Sequence, residues 1–127
     1  MIRILAVLMV GLVASAAQAQ ELVERKVLTE KPLSGAEETV VVVSTLKLMP
    51  GGRIPLHTHP GDEHAVIVSG GDVLMPNGNE VTVPPNTPMF FPAGMVHGGV
   101  TNRGDAVIEI VTTHILAAGQ PFAKPAE

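Results

Sequence analysis

The chain has 127 residues, with 8 Lys and Arg against 12 Asp and Glu, a formal charge of −4, no cysteine, no Trp, no Tyr and three Phe. That length predicts one ordinary domain around one core. The acidic balance, with no basic run and no aromatic platform, excludes nucleic acid as a partner; the shortage of flat aromatic surface disfavours sugar stacking; and without cysteine, stability must come from packing rather than disulfides.

Met1-Ile2-Arg3, the apolar run Ile4 to Val13 and then Ala17-Gln18-Ala19 follow the order of a secretory signal peptide, with cleavage expected after Ala19. The run is too short to cross a hydrocarbon core of ~30 Å, which takes about 20 apolar residues. No membrane partner is therefore expected after cleavage, and the localisation is periplasmic or secreted. A lone Arg before the run excludes a twin-arginine signal, so the chain is expected to leave the cytoplasm unfolded. Losing Arg3 with this segment takes the formal charge from −4 to −5.

Beyond residue 19 no segment keeps a 3.6-residue apolar period, whereas short runs of Val, Ile and Thr recur between Gly, Pro and Asn clusters. The chain reads as all-β. Strands are predicted over Leu22 to Leu28 and Thr39 to Met49, then, after Pro50-Gly51-Gly52, over Ile54 to His59 and His64 to Ser69. Asp72 to Met75 and Glu80 to Val83 flank Asn77-Gly78-Asn79, followed by Met89 to Pro92, His97 to Thr101 and Ala106 to Thr113. Asn77-Gly78 is the strongest hairpin signal, because both residues tolerate the positive φ of a type I′ turn, and Gly70-Gly71 is a second.

The expected layout is a signal peptide over 1–19, an N-terminal segment and first strand over 20–38, a barrel over 39–114 and a tail over 115–127, irregular around Pro121 and Pro125. In Thr39 to Met49, Val40, Val42, Leu46 and Leu48 share one face, and Val41, Val43 and Met49 the other. A strand apolar on both faces is buried on both. A second subunit in a homodimer is the expected cover, with the N-terminal strand or the tail as alternatives.

The stretch Gly51-Gly52-Arg53-Ile54-Pro55-Leu56-His57-Thr58-His59-Pro60-Gly61-Asp62-Glu63 holds two of the five histidines. Alternate strand residues share a face, so His57 and His59 point the same way and two imidazoles can reach one ion. The turn at Pro60-Gly61 can return Glu63 to the same point, and Pro92-Ala93-Gly94-Met95-Val96-His97 supplies a third imidazole after a tight turn. Each signal taken singly also fits hydrogen-bonded strand histidines around a polar loop.

Together these residues resemble the cupin superfamily, in particular its small single-domain, quercetinase-like members. The first cupin motif, G-x5-HxH-x3,4-E-x6-G, is matched by Gly51, His57, His59, Glu63 and Gly70. The second, G-x5-PxG-x2-H-x3-N, is matched at Pro92, Gly94 and His97; its opening Gly falls on Asn86, which can take a left-handed conformation, and its closing Asn on Thr101, with Asn102 one place late. The resemblance implies a double-stranded β-helix, the cupin jelly-roll barrel, of six or more strands. It also implies one divalent transition metal (Cu, Zn, Fe, Mn or Ni) at the barrel mouth, held by His57, His59, Glu63 and His97. That set leaves positions open on a six-coordinate ion.

Other polar residues are given plainer roles. His64 should face away from Glu63 by strand parity; His114 reads as a surface histidine at the end of the last strand; Arg53 is expected to meet an acidic neighbour; and Met49, Met75, Met89 and Met95 read as packing residues. Ala65 and Ile67 share parity with Glu63, Gly99 shares it with His97, and Phe91 is close by, so a small, fairly apolar, enolic or phenolic molecule fits better than a sugar. Short loops leave the mouth open or closed only by the tail. The expected function is that of an exported, metal-dependent, dioxygenase-like cupin, in which Glu63 is both ligand and base because no other carboxylate is predicted at the mouth. A non-catalytic periplasmic module binding a small ligand or metal would use the same four residues, as would a structural metal cross-link.

Overall fold

A computed structural model describes residues 21–127, so the signal peptide expected over 1–19 lies outside the described residues. The described residues form eleven strands: β1 (Val23–Leu33), β2 (Ala36–Leu48), β3 (Arg53–Ile54), β4 (His57–Thr58), β5 (Gly61–Ser69), β6 (Gly71–Leu74), β7 (Glu80–Val83), β8 (Pro88–Phe91), β9 (Val100–Asn102), β10 (Ile108–Ala117) and β11 (Lys124–Pro125). They contain no helix. The fold is all-β, and its strands pair into antiparallel sheets of order β1-β2-β10-β5-β8, β3-β9-β6-β7 and β11-β4.

Strand alternation decides what meets the core. On β10, Ile108, Ile110, Thr112, His114 and Leu116 are buried while the residues between them are half-buried. On β5, Glu63, Ala65 and Ile67 are buried while His64, Val66 and Val68 are exposed. The inward residues of the five-stranded sheet, including Leu48 and Ile67, meet Val73 of β6, with Ile54, Val83 and Val100 packed around them. Each buried aliphatic side chain contributes about 1.5–3 kcal/mol relative to exposure.

Several local expectations change. The hairpin between β6 and β7 is present, but Asn77 does not take the positive φ of a type I′ turn; among these turn residues only Gly78 does, at +85°. Pro76 sets φ negative within the turn, where Gly78 N–H bonds Met75 O at 2.9 Å. Gly70-Gly71 is not a hairpin but the crossing from one sheet to the other, and a side chain at Gly70 would run into Val83 O. β1 extends to Leu33 and turns at Ser34-Gly35 into β2, so it lies beside β2 rather than over its second face.

Asn102 resolves the displaced end of the second motif. It is 1% exposed, donates from Nδ2 to Leu48 O and Ala106 O, and accepts from Gly104 N–H at Oδ1. It ties β2 to the turn before β10. Asn86, at the motif's opening position, does adopt a left-handed φ of 64°.

Candidate metal centre

The predicted strand from Ile54 to His59 is broken at Pro55-Leu56, leaving His57 in the short β4 and His59 just beyond it. His57 and His97 form an isolated antiparallel bridge, His57 N–H to His97 O at 2.9 Å and His97 N–H to His57 O at 3.0 Å. Gly94 N–H also bonds His59 O at 3.0 Å, so the Pro92–Met95 turn is laced to the two-histidine segment. The expected strand from His97 to Thr101 begins only at Val100, because Gly98 and Gly99 take φ of +90° and +71°. Glu63 arrives from β5, opposite Phe91 of β8 and His114 of β10 in register.

One donor atom each from His57, His59, Glu63 and His97 lies within 4.8 Å of the others, in a cluster that could hold a metal ion. The hydrogen bonds of the rings test that fit. Nδ1 of His57 meets Pro55 O at 2.7 Å, Nδ1 of His59 meets Phe122 O at 2.7 Å, and Nδ1 of His97 meets Met95 O at 2.9 Å. A carbonyl oxygen only accepts, so each Nδ1 carries a proton, and a ring with no second proton turns an Nε2 lone pair inward. The Nε2 atoms of His57 and His59 stand 3.1 Å apart, and those of His59 and His97 stand 3.2 and 2.8 Å from Glu63 Oε2. Three ring nitrogens and a carboxylate converging on one point need a positive partner, which is either a proton on an imidazole donating to the carboxylate or a shared cation. The donor set of three imidazoles and one carboxylate suits a divalent transition metal, and the carbonyls behind the rings are the outer contacts that orient such ligands.

Burial alone would raise the pKa of Glu63, but the approach of His114, His59 and His97 outweighs it and holds the carboxyl well below the usual carboxylate range. His57 is pushed down, first by burial and then by the neighbouring imidazoles, against the pull of Pro55 O. His114 is not the surface residue expected from its place late in the strand. It is 2% exposed, with Nε2 3.4 Å from Glu63 Oε2, and among the described residues neither ring nitrogen makes a hydrogen bond of good geometry. Burial is the main cause of its lowered pKa.

Beyond the cluster lies a cavity of about 520 Å³ lined mostly by apolar side chains, among them Leu48, Ile67, Met89, Phe91 and Ile110. Phe91 stacks on His97 with ring centroids 4.2 Å apart. The tail is less irregular than expected: β11 pairs with β4, and the Phe122 ring sits 4.8 Å from His59 and 4.6 Å from His114. Arg25, which the motif reading passes over, also lines the cavity and lies 3.6 Å from the Phe122 ring centroid.

His64 faces outward beside Phe90, as parity predicts. Arg53 is exposed, and no carboxylate is paired with it among the described residues, so the expected acidic neighbour is not found. Met75 and Met89 pack against the core, whereas Met95 is 49% exposed.

A profile of the cupin domain matches residues 44–114. A germin-like protein of Ipomoea nil is 39% identical over 62 residues, covering 44% of this chain and 29% of that protein, so the chain spans less than a third of that relative's length. Among solved structures, a protein with a double-stranded β-helix domain from Klebsiella pneumoniae superposes with a TM-score of 0.61 at 22% identity, covering 87% of this chain and 90% of the other. An oxalate oxidase in complex with the substrate analogue glycolate superposes with a TM-score of 0.57 at 17% identity, covering 86% of this chain and 57% of the other.

Proposed function

The chain belongs to the cupin domain family, and from the convergence of three imidazole lone pairs and one carboxylate at the end of an apolar cavity we propose that it is an exported, metal-dependent oxidoreductase of dioxygenase type. Its substrate is a small enolic or phenolic compound, and O2 is the oxidant. His57, His59, Glu63 and His97 hold one divalent transition metal. The bound ion supplies Lewis acidity that lowers the pKa of a substrate hydroxyl.

The chain's own residues do the rest. Among the described residues Glu63 is the single carboxylate lining the cavity, so the hydroxyl proton passes to it. A carboxylate held by a cation is a weak base, adequate only for an already acidified hydroxyl. The apolar wall of Leu48, Ile67, Met89 and Ile110 excludes water from the body of the substrate, and Phe91 keeps the His97 ring in place by stacking.

The observation that carries this reading is the inward turn of all three Nε2 lone pairs, imposed by the backbone carbonyls at Nδ1. The test is elemental analysis of protein isolated from the periplasm, with oxygen uptake on a panel of small phenols and enols. Near-stoichiometric copper, iron, manganese or nickel with oxygen uptake is expected, and Glu63→Gln should keep some metal but lose turnover. Full activity in that variant would remove the proton-accepting role, and metal without oxygen uptake on any substrate would point to a binding module. We further propose that the molecule is a homodimer, with a second copy on the outer face of the five-stranded sheet, where Val66, Val68 and Phe90 are 43%, 49% and 53% exposed.

A further inference from the structure

The cavity wall beside the metal cluster carries polar groups that the cluster does not use. Thr112 and His114 alternate on the inward face of β10, in register with Ala65 and Glu63 of β5 on one side and Ser44 and Val42 of β2 on the other. Both are buried, at 3% and 2% exposure; His114 Nε2 approaches Glu63 Oε2 only to 3.4 Å, and among the described residues Thr112 Oγ1 and His114 Nδ1 meet no hydrogen-bond partner. Buried polar atoms without partners are uncommon in proteins, because each loses its hydration without replacement. Both residues line the cavity, so the missing partner has somewhere to sit.

Arg25 stands at the rim of the same wall. Its Nη2 donates to Ser44 Oγ at 2.7 Å, its guanidinium lies over Phe122, and among the described residues it takes part in no ion pair. A guanidinium has five N–H donors in a planar fork suited to a carboxylate, and one bond to a hydroxyl leaves most of them free. Arg25, Glu63 and His114 line the same cavity. Among the described residues Glu63 is the only carboxylate lining the cavity, and a bound metal would take up its charge. Arg25, exposed on the edge strand β1, is then a cation with free donors at the mouth of an apolar chamber, where a ligand carboxylate can reach it.

We propose that Arg25, with Thr112 and His114 behind it, forms a carboxylate-recognising end of the cavity, and that the ligand is a small monocarboxylic acid whose apolar body lies against Leu48, Ile67 and Ile110. This deepens the proposed function by adding an acid group to the enolic or phenolic substrate, and for its place in the reaction it rests on that reading. Among the described residues Arg25 is the only Lys or Arg lining the cavity, so one acid group is matched at this end and a second is not.

The test compares 3-phenylpropanoate with 3-phenylpropanamide, of the same shape without the charge, by calorimetric titration of metal-loaded and metal-free protein. The acid should bind about tenfold or more tightly than the amide to metal-loaded protein, as a charge-assisted hydrogen bond requires, and with a smaller preference to metal-free protein, where Glu63 keeps its charge. Arg25→Met should abolish that preference at unchanged metal content, Arg25→Lys should keep part of it, and Thr112→Val should reduce it. An acid preference seen only with metal bound and untouched in Arg25→Met would assign the carboxylate to the metal and overturn the proposal. No preference in either form would also overturn it. An acid preference that depends on Arg25 in a protein that holds no metal would uphold this site and remove the metal reading instead.

Discussion

His57 and His97 face each other across a pair of main-chain hydrogen bonds, so two side chains of the candidate centre are set by backbone pairing rather than by loop packing. The first motif carries its partner motif into place through these bonds, and either ligand lost leaves the others with their lone pairs still crowded together. His97→Ala should therefore remove stoichiometric metal, read by elemental analysis, while the backbone bridge survives. Chelation of the wild type should lower Tm by roughly 10 °C where metal had been present at about 100 times Kd, a linkage of roughly 2.7 kcal/mol. Metal retained by His97→Ala would rule out the assigned ligand set.

Gly98 tests the positioning of His57 without touching a ligand. A Cβ there would collide with Pro55 O and come within 3.1 Å of His57 Nδ1, at a φ of +90° that side chains resist. That oxygen is the acceptor fixing the His57 ring. Gly98→Ala should weaken metal binding roughly 10–100-fold, as loss of an outer orienting contact does, and destabilise the fold by about 1–3 kcal/mol. Unchanged metal affinity and an unchanged urea midpoint together would show that the ring is held by something else.

Metal-free protein should lose stability in acid in two stages. His57 and His114 have folded pKa values below the ordinary 6.5, so the unfolded chain takes up protons first, and their contribution is intact above about pH 6.5 and falls as pH drops below it. Glu63 is also depressed in the folded state, from 4.5, so it adds a further loss as pH falls below that value. Melting curves of chelated protein between neutral and mildly acidic pH measure this directly. A melting temperature that is flat or rises toward acid would contradict the burial of these rings.

The outer sheet face gives an expectation about assembly. Phe90→Asp puts a charge among Val66, Val68 and His64 without entering the core, because Phe90 pairs with His64 on the outward side. Light scattering should then give a dimer mass for the wild type and a monomer mass for the variant at micromolar concentration. A monomeric wild type would leave the apolar face without the proposed partner.

Strand parity made much of the centre legible before the structure. The two-residue period set His57 and His59 on one face and sent His64 outward, and the spacing of Pro92, Gly94 and His97 announced the returning imidazole. The same period, carried past the predicted end at Thr113, would have found His114, because it shares parity with Ile108 and Ile110. That strand runs to Ala117, and the place where it ends is decided by pairing with β2 and β5 rather than by its own residues. Arg25 was beyond reach for a different reason: it comes from an edge strand outside both motifs, and only the inward fold of the tail gives it a role. Attention fell on Arg53, nearer in sequence and exposed in space.

Phe122 O is the acceptor for His59 Nδ1, so the tautomer of a residue in the first motif is decided close to the C-terminal end of the chain. Because a ribosome delivers residues in order, the strands that carry all four clustered side chains exist before the atom that orients one of them has been made. A chain that ends before Phe122 would lack the oxygen that holds the proton of this second imidazole outward. A protein that crosses the membrane unfolded would therefore complete its centre only once the tail has followed the barrel strands across.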